Sequence, residues 1–203
     1  MFTGIITHQA KITEVKKDKN TIFTQQTNPD LVNKLEIGAS LAHDGTCLTI
    51  LKKINDNEYQ IQTMPETLKL TTFGEKKPGD EVNLEMPVMA NQGLDGHMVQ
   101  GHVDGLGVVS EYIQEKDNWV LTIKPEERLN KFIANKGSIA INGVSLTVSN
   151  KTKNTFSVSL IQKTLDRTNL SDLKAGHRVN LEIDVIARYM ENYLRYKNIE
   201  IEN

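Results

Sequence analysis

A single cysteine, Cys47, leaves no partner for an internal disulfide, and no CxxC or HExxH spacing offers a metal site. An excess of one charge is also missing. The 24 Lys and Arg residues against 26 Asp and Glu give a formal net charge of −2, so no basic surplus draws the chain to nucleic acid. The one basic cluster, Lys16, Lys17 and Lys19, sits among polar turn residues and reads as a solvated loop. No apolar run approaches the ~18 residues of a membrane span, and the opening MFTGIITHQAK is too short an apolar stretch for a signal peptide. A cytoplasmic address is expected, with neither nucleic acid nor membrane as a partner. Aromatic residues are sparse at 5%, yet hydrophobic residues reach 38%, the composition of an ordinary folded domain rather than a disordered chain.

What the chain does contain, it contains twice. ETLKLTTFGEKKPGDEVNLE, from Glu66 to Glu85, returns as KTLDRTNLSDLKAGHRVNLE, from Lys163 to Glu182, with nine of twenty positions identical and no gap. SLAHDGTCLTI from Ser40 returns as SIAINGVSLTV from Ser138, and MFTGII from Met1 as MVQGHV from Met98. The three offsets are 97, 98 and 97 residues. A period so far above the ~20–50 residues of solenoid repeats makes each copy a domain with its own core.

Short runs rich in Ile, Val, Thr and Phe recur at 21–24, 47–50, 59–62 and 81–84, separated by turn signals at Asp44–Gly45, Pro78–Gly79, Asn142–Gly143 and Ala175–Gly176. This predicts about six short strands per copy and an all-β fold of two small barrels, because neither copy has room for several crossover helices. Brief helical turns are predicted at Pro29–Leu35 and Pro125–Ile133. The junction is expected near Pro87–Gly96, giving a first barrel over 1–90, a second over 91–185 and a terminal helix over 186–203. In that helix Ile186, Tyr189, Met190, Tyr193 and Leu194 share one face, with Arg188, Glu191, Asn192 and Arg195 opposite. An apolar stripe outside both repeats has two uses, packing back on a barrel or joining other copies of the chain, and the second is expected because each barrel already has its own core strands.

Duplicated barrels keep shared residues for packing, so positions where the copies differ in polarity are the better functional candidates. Cys47 faces Ser145, Asp44 faces Asn142, His43 faces Ile141, and His102 faces Ile5. The second copy also carries His97, five residues before His102, a spacing that puts the two on opposite faces of a strand. Each histidine also has a structural reading as a hydrogen-bonded core group, the cysteine one as a small buried hydrophobe, and Thr49 and Thr147 one as ordinary strand residues.

As an ordered set, MFTGII, GTCLT, MPETL, GHMVQGHVDG, INGVSLTV, LDRTNL and NLEIDVIARYMENYL resemble the riboflavin synthase alpha-chain family over nearly the whole chain. The resemblance implies tandem six-stranded Greek-key barrels plus a C-terminal α-helix, assembled as a homotrimer with that helix at its centre. It implies the dismutation of two molecules of 6,7-dimethyl-8-ribityllumazine to riboflavin and 5-amino-6-ribitylamino-2,4-pyrimidinedione, with no cofactor and no metal. Lumazine synthase enters as a candidate partner, the sequence leaving open whether the trimer sits in its capsid.

By the same resemblance the first barrel's pocket comprises Phe2, Gly4, Ile5, Ile6, Ser40, Cys47, Leu48, Thr49, Gln62, Thr63, Met64, Pro65, Glu66 and Thr67. The second comprises Gly101, His102, Val103, Lys136, Ser145, Leu146, Thr147, Ser159, Leu160, Ile161, Gln162, Lys163 and Thr164. The catalytic set is His102, Cys47, Ser40, Ser145, Thr147, Asp184 and Phe2. Among these, His102 is expected as general acid/base at the C7 methyl, Cys47 or Ser40 as an aid to addition at C7 of the acceptor, and Asp184 as the group that orients Ser145 or Thr147 across a subunit interface. Thr67 and Thr164 are expected to hold the ribityl groups. The chain departs from the family at Met86 and Pro87, where many members have arginine and alanine, and Pro87 stiffens the junction. Two rivals remain: a non-reacting protein of the same fold, like the lumazine proteins of bioluminescence, and a flavin oxidoreductase module. The latter needs a nicotinamide-binding domain and a GxGxxG turn, for which the sequence has no segment.

Overall fold

The alternation along each copy becomes six antiparallel strands in the computed structural model, which describes residues 1–116 and 118–197. The first barrel is built from β1 (His8–Lys17), β2 (Thr21–Gln26), β3 (Ser40–His43), β4 (Thr46–Lys53), β5 (Glu58–Thr63) and β6 (Glu81–Glu85), closed in the order β1-β2-β5-β4-β3-β6. The second repeats that order with β7 (Gly105–Glu115), β8 (Asn118–Pro125), β9 (Ser138–Ile141), β10 (Val144–Lys151), β11 (Phe156–Ile161) and β12 (Arg178–Ile183). The order is a Greek key, and closure removes free strand edges. Even the irregularities are duplicated: bulges at Ile12/Glu14 and Ile50/Lys52 recur at Val109/Glu111 and Val148/Asn150. Because a bulge increases local twist and bends a strand, these bends help each small barrel close.

Inward positions of each barrel fill its own core. Ile12, Phe23, Leu41, Ile50, Tyr59, Ile61 and Leu84 pack in the first; Val109, Leu121, Ile139, Val148, Phe156, Val158 and Leu181 pack in the second. The short helices lie between strands. α1 (Pro29–Lys34) starts on Pro29, with the Asn28 side chain accepting from Asp30 N, and α2 (Pro65–Leu70) follows β5. Its counterpart α3 (Gln162–Leu165) follows β11. The turn expected before Ile133 forms as a 3-10 segment, Glu127–Phe132.

The barrels meet across a buried polar seam with approximate twofold symmetry. Asn83 Nδ2 donates to the Asn142 carbonyl at 3.0 Å, and Asn180 Nδ2 donates to the Asp44 carbonyl at 2.8 Å. Asn83 Oδ1 accepts from Asn169 N, and Asn180 Oδ1 from Thr72 N, both at 2.8 Å. The two hairpin turns at the seam, Asp44–Gly45 and Asn142–Gly143, have positive φ throughout, as type I′ turns require. They stand back to back so closely that a Cβ on either glycine would lie under 3 Å from the other turn's backbone. One difference breaks the symmetry: Asp44 is fully buried and pairs with Lys76 at 3.0 Å, where the second copy has Asn142 and Leu173. Beside the seam lies a cleft of about 620 Å³, bordered by Thr72, Lys76, Asn169, His177 and Arg178.

α4 (Val185–Tyr196) docks the reverse way from an ordinary amphipathic helix. Its polar side meets the chain, with Arg188 reaching Asp104 and Glu191 pairing with Lys131 at 3.0 Å. Its apolar stripe of Ile186, Tyr189, Met190 and Tyr193 is exposed and, with Met98 and Val185, borders an apolar groove of about 560 Å³. Residues 198–203 of the expected helical segment lie outside the described residues. Among the described residues, no helix is long and apolar enough to cross a membrane.

His43 takes its structural reading. It is fully buried, with Nδ1 at 3.0 Å from the Leu41 carbonyl and Nε2 at 3.0 Å from the Tyr59 hydroxyl, which lies 2.8 Å from the Gln25 side-chain amide. Burial holds its pKa down at about 3. The native state therefore refuses a proton that the unfolded chain accepts below its ordinary value of 6.5, so stability present above that value is lost as pH falls toward 3. Urea unfolding should show this loss with a slope of up to about 1.4 kcal/mol per pH unit from this one group. His43→Ile, which installs the residue of the second copy, should flatten that segment of the profile; an unchanged slope would mean that His43 does not titrate on unfolding.

Candidate active site

Each barrel carries an outward-facing edge formed by β4 and the start of α2, or by β10 and the start of α3. On the first, Ser40 pairs with Thr49 across β3 and β4 while Leu48 turns into the core, leaving Cys47 and Thr49 on the outer side. On the second, Ser145 and Thr147 occupy the same places and Ser159 is exposed on β11. Lys136 stands where the first copy has Gly38 and is held at φ 65°, an uncommon left-handed conformation for a lysine.

The leading segment of each half completes the edge of the other half. Cys47 N donates to the Gly101 carbonyl at 2.8 Å, and Ser145 N donates to the Gly4 carbonyl at 2.8 Å. Ile6 belongs to the second barrel's core cluster, and an antiparallel bridge between Phe2 and Val99 ties the crossing segments together. This corrects the expected grouping: Gly4, Ile5 and Ile6 join the second barrel's edge, and Gly101, His102 and Val103 join the first. Gly101, the residue before His102, therefore lies against Cys47, and Gly4, the residue before Ile5, lies in the matching place against Ser145. The crossing needs glycine, because Gly4 and Gly101 adopt φ +79° and +80°, and a Cβ there would come within 2.5 Å of Ser145 Cβ and 2.6 Å of Cys47 Cβ.

Two buried glutamates hold these segments. Glu85 accepts from Thr3 N at 2.6 Å, Thr3 Oγ1 at 2.8 Å and Gly4 N at 2.9 Å. Glu182 accepts from Gln100 N, Gly101 N and His102 N at 2.6, 2.9 and 3.1 Å. Burial pushes the Glu182 carboxyl up to about 7 against the lowering effect of its amide donors, and it also raises Glu85. Both glutamates fall at an identical position of the repeat, a place reserved for packing by the rule that only differing positions carry function. Reading NLE as a buried-carboxylate signature would have found them.

His97, outside the expected catalytic set, pairs with the second edge: its ring Nδ1 lies 2.7 Å from Ser145 Oγ and its backbone N–H donates to the Thr3 carbonyl at 3.1 Å. Burial lowers its pKa while the charge of Asp184 opposes the shift. Asp184 thus acts on His97 within the chain, and its side chain caps α4 by accepting from Ile186 N; it makes no hydrogen bond to Ser145 or Thr147 among the described residues. Phe2 is fully buried with Ala42, Val99 and Ala140, so its side chain packs inside the crossing. Thr63, whose hydroxyl donates to the Thr21 carbonyl, Leu48 and Leu160 are likewise turned inward. Gln62, Met64, Pro65, Glu66 and Thr67 lead along β5 into α2, and Ile161, Gln162, Lys163 and Thr164 lead into α3, each set half-buried or exposed. The result is two edges equivalent in backbone and unequal in chemistry: Cys47 with His102, and Ser145 with His97.

Two Greek-key barrels of one strand order, each with an edge completed by the leading segment of the other half, define the class as a duplicated-barrel fold. The chain belongs to the lumazine binding domain family, which matches it twice, over residues 3–87 and 100–184. It is 37% identical to the riboflavin synthase of Actinobacillus pleuropneumoniae over 197 residues, 97% of this chain and 91% of that protein. It is 39% identical to the riboflavin synthase of Escherichia coli strain K12 over 186 residues, 91% of this chain and 87% of that one. Among solved structures, LumP complexed with 6,7-dimethyl-8-(1'-D-ribityl) lumazine superposes with a TM-score of 0.82 at 25% identity, over 90% of this chain and 99% of the other. LumP complexed with riboflavin gives 0.83 at 26% identity, with the same coverage.

The crossing can be tested by stability alone. Gly38 also has positive φ, but a Cβ there meets nothing within 4 Å. Gly38→Ala should cost only the left-handed backbone term of about 1–2 kcal/mol, and Gly101→Ala clearly more in urea unfolding. Equal losses would show that Gly101 does not press against Cys47 in solution.

Proposed function

We propose that this protein converts two molecules of 6,7-dimethyl-8-ribityllumazine into riboflavin and 5-amino-6-ribitylamino-2,4-pyrimidinedione, one molecule donating a four-carbon unit to the other. The observation that carries the reading is the pair of edges, alike in backbone and different in reactive side chains: two identical substrates must play two roles, donor and acceptor. The reaction balances without external oxidant, reductant or water, so the reading requires no cofactor.

The heterocycle's uracil-like rim of alternating donors and acceptors suits strand backbone at Cys47–Thr49 and Ser145–Thr147, and the hydroxyls of Thr67 and Thr164 suit ribityl chains. In this reading His102 removes a proton from the C7 methyl of the lumazine on the first barrel, whose carbanion is delocalised into the ring. Ser145, hydrogen-bonded to His97, serves the lumazine on the second barrel. Holding both rings in contact is worth on the order of 7–11 kcal/mol in effective concentration, the largest single contribution available to a site of this kind.

One chain holds its two edges on different barrels, so the reading includes a homotrimer in the cytoplasm, in which the first barrel of one copy faces the second barrel of another. The exposed stripe of Ile186, Tyr189, Met190 and Tyr193 supports this, since the polar side of α4 is already used within the chain. Lumazine synthase, as the source of the substrate, is a further partner in the same reading.

A second reading, binding without turnover, is favoured by the structural likeness to LumP, whose complexes contain lumazine, riboflavin or flavin mononucleotide. Purified protein given 6,7-dimethyl-8-ribityllumazine alone decides between them. Loss of two lumazines per riboflavin is expected from a sample whose light-scattering mass equals three chains, and His102→Ala and Cys47→Ala should each lower turnover more than about threefold. Tight binding with no riboflavin would move the protein to the non-reacting class, and the mass of a single chain would remove the trimer.

A further inference from the structure

The segment that carries His102 is held from two sides, and only one of those holds has a counterpart in the other half of the molecule. Glu182, at the end of β12, takes three consecutive amides from below, as Glu85 does at Thr3 and Gly4. The second hold comes from α4. The Arg188 guanidinium donates to Gln100 Oε1 at 2.8 Å, to the His102 carbonyl at 3.4 Å, and to both oxygens of Asp104 at 2.9 and 3.0 Å. Asp104 in turn accepts from Ile183 N at 2.9 Å, which closes the loop back onto β12. A planar guanidinium engaged on three residues of one loop fixes that loop's orientation in a way that a single point charge does not. Among the described residues the first copy has no side-chain counterpart: after Glu85 the chain continues through Met86 and Pro87, Val88 N donates to the Met1 carbonyl at 3.0 Å, and the place matching His102 is Ile5.

We infer that Arg188 is a positioning residue for the reaction: by clamping Gln100, His102 and Asp104 it fixes the backbone that carries His102, next to Gly101 whose carbonyl accepts from Cys47 N, and it ties that placement to the docking of the terminal helix. Arg188 meets the first edge only at the His102 carbonyl, so its effect reaches the chemistry through the backbone of residues 100–104. The helix that presents an exposed apolar stripe to other copies is therefore mechanically connected to the first barrel's site. The inference rests on the proposed dismutation for its kinetic consequence and on the geometry alone for its structural one.

The test uses the full-length protein with Arg188→Ala, Arg188→Lys, His102→Gln and the double variant Arg188→Ala/His102→Gln. Arg188→Ala should lower kcat at least about tenfold with KM within about twofold, at unchanged solution mass. Free guanidinium at millimolar concentration should restore part of that loss, while Arg188→Lys, lacking the fork, should recover little. In the His102→Gln background the same change should cost less than about twofold, since both act through one group. Independently of turnover, the His102 ring resonances in NMR should shift or broaden in Arg188→Ala while those of buried His43 stay put. Activity of Arg188→Ala within about threefold of wild type, a full loss repeated in the His102→Gln background, or an unmoved His102 resonance would each overturn the inference. If wild type makes no riboflavin but the His102 resonance still responds, the functional reading has failed and the clamp stands. Should Arg188→Ala not fold, Gln100→Met removes one acceptor and leaves helix and Asp104 in place; a kcat equal to wild type would then count against the clamp.

Discussion

The buried seam of Asn83, Asn180, Asp44 and Asn142 is the constraint on which the rest of the molecule depends. The side chains of Asn83 and Asn180 satisfy backbone groups of the opposite barrel, so neither barrel can close its end alone without orphaning polar atoms, each at a cost of about 1–3 kcal/mol. The back-to-back glycine turns leave no room to slide. Once the barrels are locked in this arrangement, the leading segments have one course available: Met1–Ile6 run along the second barrel's edge and Met98–Val103 along the first's, bridged at Phe2 and Val99. The two edges are thus products of the interface between the repeats, and neither is complete within a single repeat.

On this symmetric frame the asymmetry is chemical and sparse. Cys47 against Ser145, His102 against Ile5, the added His97, and the Asp44–Lys76 pair against Asn142 and Leu173 are the differences that matter. Other differences only trade one packing solution for another. The buried chain His43–Tyr59–Gln25 of the first barrel is replaced in the second by Ile141 and the hydrogen bond between Thr122 and Ser157, two ways of filling the same interior. A duplicated scaffold whose halves must hold the same molecule in two chemical roles would diverge at its edges and keep its seam, and the residues divide along that line.

Strands, turns and the repeat were legible in the sequence because each rests on local rules: alternation within strands, positive φ at Asp-Gly and Asn-Gly, and a register that survived duplication. The terminal helix was legible as well, but not which side of it docks; Arg188 and Glu191 face the chain because their partners Asp104 and Lys131 are distant in sequence. The same long-range pairing hid the crossing of Gly4 and Gly101, so His102 was assigned to the wrong barrel. Phe2, Thr63 and Leu160 were placed at the site by motif and turned inward by packing. Glu85, Glu182, Asn83 and Asn180 were passed over because they are identical in both copies, although a shared buried carboxylate or amide is a costly thing to keep without a task. His97 was visible as a residue and invisible as a partner of Ser145, forty-eight positions away.

The claim that most needs direct sight is that each half completes the other's site, and a crystal structure of the protein with bound 6,7-dimethyl-8-ribityllumazine provides it. The account predicts one ring against Cys47–Thr49 and Gly101–Val103 on the first barrel, and a second against Ser145–Thr147 and Gly4–Ile6 on the other. A ring on the first barrel in contact with Gly4–Ile6, or a ligand seated instead in the cleft beside Thr72 and Arg178, would contradict it.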